Sequence, residues 1–156
     1  MVQNGDHMID GVQIIPLKTF LDERGCVRHM MKKTDPHFSG FGEIYFSVIF
    51  PGAIKGWHVH RKMELNYATI SGNIKLVLYD DRKTSPTYKE LQEIFMGEEN
   101  YVLVKIPPDV VNGFKAVANE KAIVANCSSI PHDPEEIERF DPFDRRIGYD
   151  WDIRHG

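Results

Sequence analysis

The chain has 156 residues, a net charge of −4, and 42% hydrophobic and 27% charged residues, a composition typical of globular proteins. This length predicts a single domain over residues 1–156, in which the polar residues 1–7 form a flexible extension ahead of Met8. The acidic balance argues against nucleic acid or a membrane surface as the main partner, because binding to phosphates usually requires a basic excess. No segment approaches the roughly 18 apolar residues of a membrane span or resembles a signal peptide, so we expect a cytoplasmic protein.

Strand signals dominate the chain from its first third onward. Extended apolar runs occur at residues 11–20, 25–33, 42–50, 64–72, 73–82, 100–106 and 120–128. The runs at 64–72 and 73–82 meet at Ser71-Gly72-Asn73, which predicts a hairpin. Many short strands separated by Gly and Pro predict an all-β sandwich or barrel.

Helix signals are confined to the C-terminal part of the chain. The stretch DPEEIERF at 133–140 begins with Asp-Pro and has acidic residues in its first turn, which predicts a short helix. In the tail, Tyr149 and Trp151 are expected to pack on the barrel or across a dimer interface. Cys26 and Cys127 lie in apolar surroundings without a metal-binding spacing, so we expect two buried free thiols.

The stretch GAIKGWHVHRKMEL at 52–65 places His58 and His60 one residue apart. Because side chains two residues apart on a strand share a face, we expect both histidines side by side on the inner face of a barrel strand. Three interpretations follow from that placement. The pair could hold a metal ion, it could move a proton on an organic substrate, or it could be a satisfied part of the core.

The spacing from Gly52 to His58 and His60 matches the opening of the first cupin motif, which supplies metal ligands in many barrels of that kind. The rest of the ligand set disagrees with a metal site. Counting back from the glycine at position 72 puts Leu65, and not Glu64, at the position of the acid. The third histidine is replaced by an asparagine at position 112, and a neutral amide is a poor substitute for imidazole. We therefore predict no metal, and we expect proton transfer to be the role of the histidine stretch.

Five blocks of the sequence, in order along the chain, carry a resemblance to a known family. They are DERG at 22–25, IKGWHVH at 54–60, SGNIKLVLYDDRKTSPTY at 71–88, KIPPDVVNGF at 105–114 and YDW at 149–151. Together they resemble the dTDP-4-dehydrorhamnose 3,5-epimerase family of sugar-nucleotide cupins. The resemblance implies a cupin-type double-stranded β-helix, or jelly roll, and a homodimer whose N-terminal strands exchange. It also implies a nucleotide-diphosphate sugar as substrate, no metal or organic cofactor, and a place in deoxysugar and polysaccharide biosynthesis.

The chemistry implied by the resemblance is proton exchange beside a ketone. Hydrogens on the carbons next to the C4 ketone of a 4-keto-6-deoxyhexose are acidic because the carbanion delocalises into an enolate. A base removes such a proton and an acid returns one to the opposite face. Histidine suits the first step because an unperturbed pKa near 6.5 leaves neutral imidazole at pH 7. A positive or hydrogen-bonding group must stabilise the developing charge on the C4 oxygen.

The resemblance assigns roles to several residues of this chain. His58 falls on the family's base, and Lys55 replaces an arginine that helps to bind the nucleotide sugar. Arg24 in the DERG block matches an arginine that resembles a diphosphate clamp acting across the dimer. Three further residues are expected to orient the substrate: His60, Asn66 and Asn112.

The proton donor is where the chain departs from the family. Pro131 and His132 stand where the family has its tyrosine, Leu65 stands at the family's pocket lysine, and the base-orienting aspartate falls beyond the C-terminal residue Gly156. Tyr67 and His132 are the candidates for the acid.

This pattern indicates a divergent branch that inverts C3, C5 or both, on a dTDP-, CDP- or GDP-linked sugar. The alternatives are a non-catalytic sugar-nucleotide-binding cupin and, more distantly, a metal-dependent cupin enzyme.

Overall fold

The computed structural model describes residues 8–156, and the expected extension at 1–7 lies outside the described residues. The described part is all β, as predicted. Its strands are β1 Gln13–Pro16, β2 Thr19–Asp22, β3 Gly25–Arg28, β4 Glu43–Ile49, β5 Ile54–His60, β6 Leu65–Ser71, β7 Asn73–Asp80, β8 Leu91–Gly97, β9 Val102–Ile106, β10 Val110–Val117, β11 Ala122–Ser128 and β12 Ile137–Arg139.

Two five-stranded antiparallel sheets form the barrel. The first sheet has the order β1-β9-β6-β11-β4 and the second the order β12-β5-β10-β7-β8. Strands β2 and β3 form a separate two-stranded hairpin that pairs with neither sheet within the described residues. The inner faces meet in one apolar core that includes Leu65, Ile74, Leu76, Leu78, Val104 and Phe114. This arrangement agrees with the sandwich or barrel that the strand pattern predicts and with the jelly roll that the family resemblance implies.

The C-terminal tail covers the outer face of the second sheet. Trp57 on β5 and Trp151 in the tail stack with ring centroids 5.0 Å apart, and both indole nitrogens donate to the carbonyl oxygen of Pro142 at 3.1 and 2.9 Å. Tyr149 packs edge-on against both rings. Of the two expected positions for the tail, the structure shows packing on the barrel of the same chain. Strand β5 is thereby fixed from outside, which matters because its inner face carries the two histidines.

The prediction of a short C-terminal helix at residues 133–140 is wrong. The segment forms a turn followed by strand β12, which pairs antiparallel with β5. The reason is that Glu136 is not a solvated first-turn acid. Its carboxylate is buried and accepts hydrogen bonds from the backbone N–H groups of Lys62 and Met63 at 2.8 and 3.2 Å. A tertiary partner therefore overrides the local helix signal.

The predicted hairpin at Ser71-Gly72-Asn73 is also wrong. Strands β6 and β7 belong to different sheets, so the chain turns a corner of the barrel there. Gly72 has a positive φ of 69°, and a Cβ on it would lie 2.6 Å from the carbonyl oxygen of Lys121. Glycine is required at this corner because the turn and the close approach both exclude a side chain.

Smaller differences concern the first third and the middle of the chain. The strand expected over 25–33 ends at Arg28, and neither β8 nor β10 has a counterpart in the sequence prediction. Cys26 is exposed on the hairpin and Cys127 is partly buried, so the expectation of two buried thiols is wrong for Cys26. Within residues 8–156 the fold has no helix long and apolar enough to cross a membrane.

Candidate active site

A cavity of about 390 Å³ opens between the two sheets. Strands β4, β6 and β11 supply one wall, and strands β5, β10 and β12 supply the other. The lining residues are Tyr45, Ser47, Lys55, Gly56, His58, Tyr67, Phe114, Val124, Asn126 and Arg139. Three residues expected in the site from the sequence, His58, Lys55 and Tyr67, therefore come together in one cavity.

His58 stands on the wall formed by the second sheet. Its Nε2 lies 3.1 Å from the hydroxyl oxygen of Tyr67, and its Nδ1 lies 3.5 Å from the carbonyl oxygen of Gly56. Burial, reinforced by the nearby charge of His60, lowers the pKa of His58 to about 4. The imidazole is therefore neutral at pH 7, which is the form that a general base requires.

Tyr67 faces His58 from the opposite wall. Its hydroxyl donates to Oδ1 of Asn112 at 3.3 Å, and Nδ2 of Asn112 donates to the carbonyl oxygen of His58 at 3.4 Å. The amide nitrogen is thereby directed to a carbonyl and the amide oxygen to the phenol. Burial raises the pKa of Tyr67 well above its ordinary value, with Tyr45 adding to the effect. Tyr67 consequently stays protonated and has two acceptors for one proton, His58 Nε2 and Asn112 Oδ1.

His60 lies beside His58 on the inner face of β5, as expected, with ring centroids 5.6 Å apart. It does not line the cavity, because it is buried behind His58 against Glu136. Nδ1 of His60 is hydrogen-bonded to Oε1 of the Glu136 carboxylate. Burial alone would raise the pKa of Glu136, but the hydrogen bonds from His60 and from two backbone N–H groups hold this pKa below its ordinary value. The result is a buried imidazole–carboxylate pair directly behind the candidate base.

Two cations face the cavity. Lys55 donates from Nζ to Oγ of Ser47 at 2.6 Å. Arg139 lies on β12, opposite His58 in the β12–β5 ladder. Sequence reasoning missed Arg139 and Glu136 because their segment reads locally as a helix. The only available signal was the acidic and basic content of 133–140, and that content does not say which strand the segment joins.

Besides His60 and Asn112, which are buried next to the cavity without lining it, three expected site residues lie outside the cavity of the single chain. Arg24 is at the tip of the β2–β3 hairpin and pairs with Asp22 at 2.6 Å. His132 is exposed in the loop that precedes β12, so the geometry does not support it as the proton donor. Asn66 lies on the opposite face of β6 from Tyr67, and its Nδ2 donates to the carbonyl oxygen of Cys127 at 2.8 Å. Its expected contact with substrate is likewise unsupported.

The acid of the cupin metal motif has a different role here. Glu64 forms an ion pair with Lys105 at 2.6 Å and accepts from the Ser39 hydroxyl at 2.9 Å, whereas Leu65 is part of the core. Among residues 8–156, no three His, Cys, Asp or Glu side chains converge as a metal site would require.

Comparison with known proteins assigns the family. The model of the dTDP-4-dehydrorhamnose 3,5-epimerase family matches residues 6–155. The chain belongs to this family. It is 30% identical over 146 residues to a spore coat polysaccharide biosynthesis protein of Bacillus subtilis, covering 92% of this chain and 97% of that one. It is 33% identical over 149 residues to a probable low-salt glycan biosynthesis epimerase of Haloferax volcanii, covering 91% and 89% of the two chains.

A solved structure supports the same assignment. The chain is similar to a dTDP sugar isomerase from Desulfovibrio desulfuricans, with a TM-score of 0.90 and 41% sequence identity over 92% of each chain. The fold and nearly the whole length are thus shared with members of this epimerase family.

Proposed function

We propose that the protein is an epimerase that acts on a nucleotide-linked 4-keto-6-deoxyhexose without a metal and inverts C3, C5 or both. One observation carries this proposal. A neutral imidazole, His58, and a protonated phenol, Tyr67, face each other from opposite walls of one cavity at 3.1 Å. Epimerisation beside a ketone needs this combination, because the base and the acid act on opposite faces of the same carbon.

The proposed reaction balances with these two groups. His58 takes the proton from the carbon next to C4 onto Nε2, and the electron pair moves onto the C4 oxygen as an enolate. Tyr67 then gives its proton to the opposite face of that carbon, and the ketone re-forms. The sugar ring enters between the two side chains and separates them. When the product leaves, their contact is restored, and the imidazolium of His58 returns a proton to the phenolate of Tyr67.

The substrate class rests on the family and on the cations of the cavity. The similar proteins named above include a dTDP sugar isomerase and a glycan biosynthesis epimerase. Lys55 gives the cavity a positive charge for a phosphate, despite the net charge of −4. We also keep as proposals the single domain over 1–156 and the cytoplasmic location, both of which rest on length and composition.

Deuterium exchange tests the function. dTDP-, CDP- and GDP-linked 4-keto-6-deoxyhexoses are incubated with the protein in D2O and followed by NMR. We expect deuterium at the carbons next to C4 for one of the nucleotides, and the labelled position identifies the inverted carbon. Absence of label for all three substrates, with protein that is folded, would contradict the proposal.

A second candidate function is a non-catalytic cupin that binds a sugar nucleotide. The position of His132 outside the cavity favours it, because the residue that stands where the family has its proton donor is not assembled with His58 in the single chain. Calorimetric binding of dTDP without any deuterium incorporation would support this candidate. For the more distant metal-dependent enzyme, loss of exchange on chelation together with metal found by elemental analysis would be the corresponding result.

We further propose a homodimer in which the β2–β3 hairpin docks on a second copy of the chain. The hairpin exposes Leu21 to 81% and Val27 to 61%, and the edge strand β4 exposes Phe46 to 58%. Large apolar side chains exposed to this extent are typical of an interaction surface. Docking of this hairpin would carry Arg24 to the cavity of the partner, where the resemblance expects a diphosphate clamp.

A further inference from the structure

Strand β12 brings an arginine to the cavity directly beside the candidate base. Arg139 is the cross-strand partner of His58 in the antiparallel β12–β5 ladder. Residues directly opposite each other in such a ladder share a face, with Cβ atoms about 4.5–5.5 Å apart. Both side chains line the cavity, and the charge of Arg139 contributes to the lowered pKa of His58. The two side chains therefore start from neighbouring positions and face the same space.

Arg139 differs from the other arginines near the second sheet. Arg61 is neutralised by Asp109 at 2.9 Å and by Glu138 at 2.8 Å, and Arg82 is bound by the buried Asp80 at 2.8 Å. The side chain of Arg139 has no hydrogen bond or ion pair with any residue in the described part of the chain. A guanidinium that faces a cavity without a counter-ion is suited to bind an anionic oxygen of a ligand.

We propose that Arg139 stabilises the negative charge that develops on the C4 oxygen of the substrate. This inference rests on the proposed function. The base removes a proton from a carbon bonded to C4, so the ketone oxygen lies within a few ångströms of His58. Arg139 is the cation directly opposite His58, whereas Lys55 lies further along β5 and is held by Ser47. Leu65, a core residue, stands where the family has its pocket lysine. Arg139 therefore supplies, from a different strand, the positive charge that the lysine would have given.

The buried pair His60–Glu136 holds Arg139 in place. Glu136 immediately precedes β12, and its carboxylate is bound to His60 and to two backbone N–H groups of the turn after β5. Ile137, the next residue, is the ladder partner of His60. The start of β12 is thereby fixed to the end of β5, and the register that follows places Arg139 opposite His58. Glu136 and His60 are positioning residues that act through Arg139.

The test separates stabilisation of the enolate from binding of the diphosphate. Arg139→Met removes the charge and keeps much of the volume, and Arg139→Lys keeps a positive charge without the planar, two-pronged guanidinium. Arg61→Met is the matched control, at a surface arginine that is already neutralised by carboxylates. We expect Arg139→Met to lower kcat for deuterium exchange by about 10²–10³-fold, as loss of one oxyanion-stabilising group does. The affinity for dTDP, measured by calorimetry, should stay unchanged. Arg139→Lys should be intermediate, and Arg61→Met should resemble the unmodified protein.

Each contrary outcome has a distinct meaning. If Arg139→Met weakens dTDP binding and leaves kcat intact, the residue is a phosphate ligand and the inference is overturned. If neither kcat nor affinity changes, it is overturned as well. If the unmodified protein exchanges no deuterium into any of the three sugar nucleotides, the proposed function fails and the inference fails with it.

A double variant tests the positioning role. If Glu136 acts through Arg139, the variant Glu136→Gln/Arg139→Met should be no slower than Arg139→Met alone. Once the guanidinium is absent, Glu136→Gln can no longer displace it. A general structural role for Glu136 would instead make the two losses multiply, and that result would overturn this part of the inference.

Discussion

His58 combines an ordinary side chain with an unusual environment. It is partly buried beside His60, with Tyr67 on its Nε2 and Arg139 across the ladder. Burial, together with His60 and Arg139, favours the neutral imidazole, and the cavity places the lone pair of that imidazole where a substrate carbon can reach it. A substitution that removes this lone pair should therefore remove the proton acceptor of the reaction.

His58→Asn should preserve the size and hydrogen bonding of the side chain while removing the proton acceptor. We expect deuterium exchange beside the ketone to fall by about two to four orders of magnitude, the usual range for loss of general acid–base catalysis. Sugar-nucleotide affinity should change little, because charged contacts to the phosphates carry most of it. His60→Asn is the matched control and should lower turnover less, since His60 acts through other residues. Unchanged exchange in both variants would make the pair part of the core and nothing more.

The lowered pKa of His58 predicts two effects of pH. Catalysis needs the neutral form, so the acid limb of kcat/KM should fall near pH 4 and not near 6.5. The free energy of unfolding depends on the same group. Between pH 6.5 and 4, His58 is protonated in the unfolded chain but not in the folded chain. Stability contributed by this residue is therefore present above pH 6.5 and decreases as the pH falls, by up to about 3 kcal/mol.

Urea unfolding at pH 7 and at pH 4.5 measures this effect, with His58→Asn as the control. The difference in unfolding free energy between the two pH values should be smaller in the variant. Equal differences in both proteins would show that His58 titrates normally.

At the scale of elements, the strands were predictable and their partners were not. Alternating apolar residues and Gly–Pro punctuation locate β4, β6, β7 and β11 to within a few residues. Which sheet each strand joins depends on contacts across the barrel, and so the sequence predicts a hairpin of β6 and β7 where the structure has a corner between two sheets. For the site, the i, i+2 spacing of two histidines on a strand sufficed to place them side by side.

Glu136 and Arg139 could not be found in the same way. Glu136 meets His60 across 76 residues of sequence, and Arg139 meets His58 through a strand whose local composition indicates a helix. Tertiary hydrogen bonds to the turn after β5 decide the structure of this segment, and no local pattern encodes them.

The loop after β7 shows what one buried carboxylate contributes to an element. Asp80 is fully buried and accepts hydrogen bonds from Arg82, Ser85 and Thr87 at 2.6–2.8 Å. Burial alone would raise the pKa of Asp80, but these bonds hold it far below its ordinary value. Thr87 in turn accepts from the backbone N–H of Asp10 at 3.0 Å, which fastens the start of the described chain to this loop.

Asp80→Asn should destabilise the fold by about 1.5–3 kcal/mol, because it removes the charge from a buried acceptor of hydrogen bonds from Arg82, Ser85 and Thr87. Denaturant unfolding at pH 7 measures the loss, and Asp144→Asn, which removes a surface pair with Arg146, should cost clearly less because solvent screens that pair. The contribution of Asp80 is present above the pKa of the unfolded carboxyl and is lost as the pH falls below it. A cost for Asp80→Asn no larger than that of the surface control would refute the argument.

At the scale of the whole molecule, the exposed hairpin and the incomplete cavity point to one explanation. Leu21 and Val27 on the hairpin are apolar and exposed, while Arg24 at its tip is bound only by Asp22 within the described residues. A dimer would bury the first two and deliver the third to a neighbouring cavity. Most soluble oligomers are symmetric, so each subunit would then complete the site of the other.

Leu21→Glu places a charge in the proposed interface. The unmodified protein should sediment with twice the 18.0 kDa mass of one chain, and the variant should shift towards the single chain. Phe143→Glu, at an exposed apolar residue of the C-terminal tail, is the control and should leave the mass unchanged. A single-chain mass for the unmodified protein would contradict the dimer.

Mixing two inactive variants tests whether Arg24 acts across that dimer. Arg24→Ala should weaken sugar-nucleotide binding by roughly 10- to 150-fold, which corresponds to a loss of about 1.5–3 kcal/mol for a charge-assisted contact, and His58→Asn should abolish exchange. At substrate concentrations below the unmodified Kd, each variant alone should exchange deuterium far more slowly than the unmodified protein. In a mixed dimer, the Arg24→Ala subunit keeps its own His58 and receives an intact arginine from its partner. Half of the dimers are then mixed and half of their sites are complete, so equal amounts should restore about a quarter of the unmodified rate. If Arg24 served the cavity of its own chain, every site in the mixture would lack one of the two residues, and the rate would stay at the level of the separate variants.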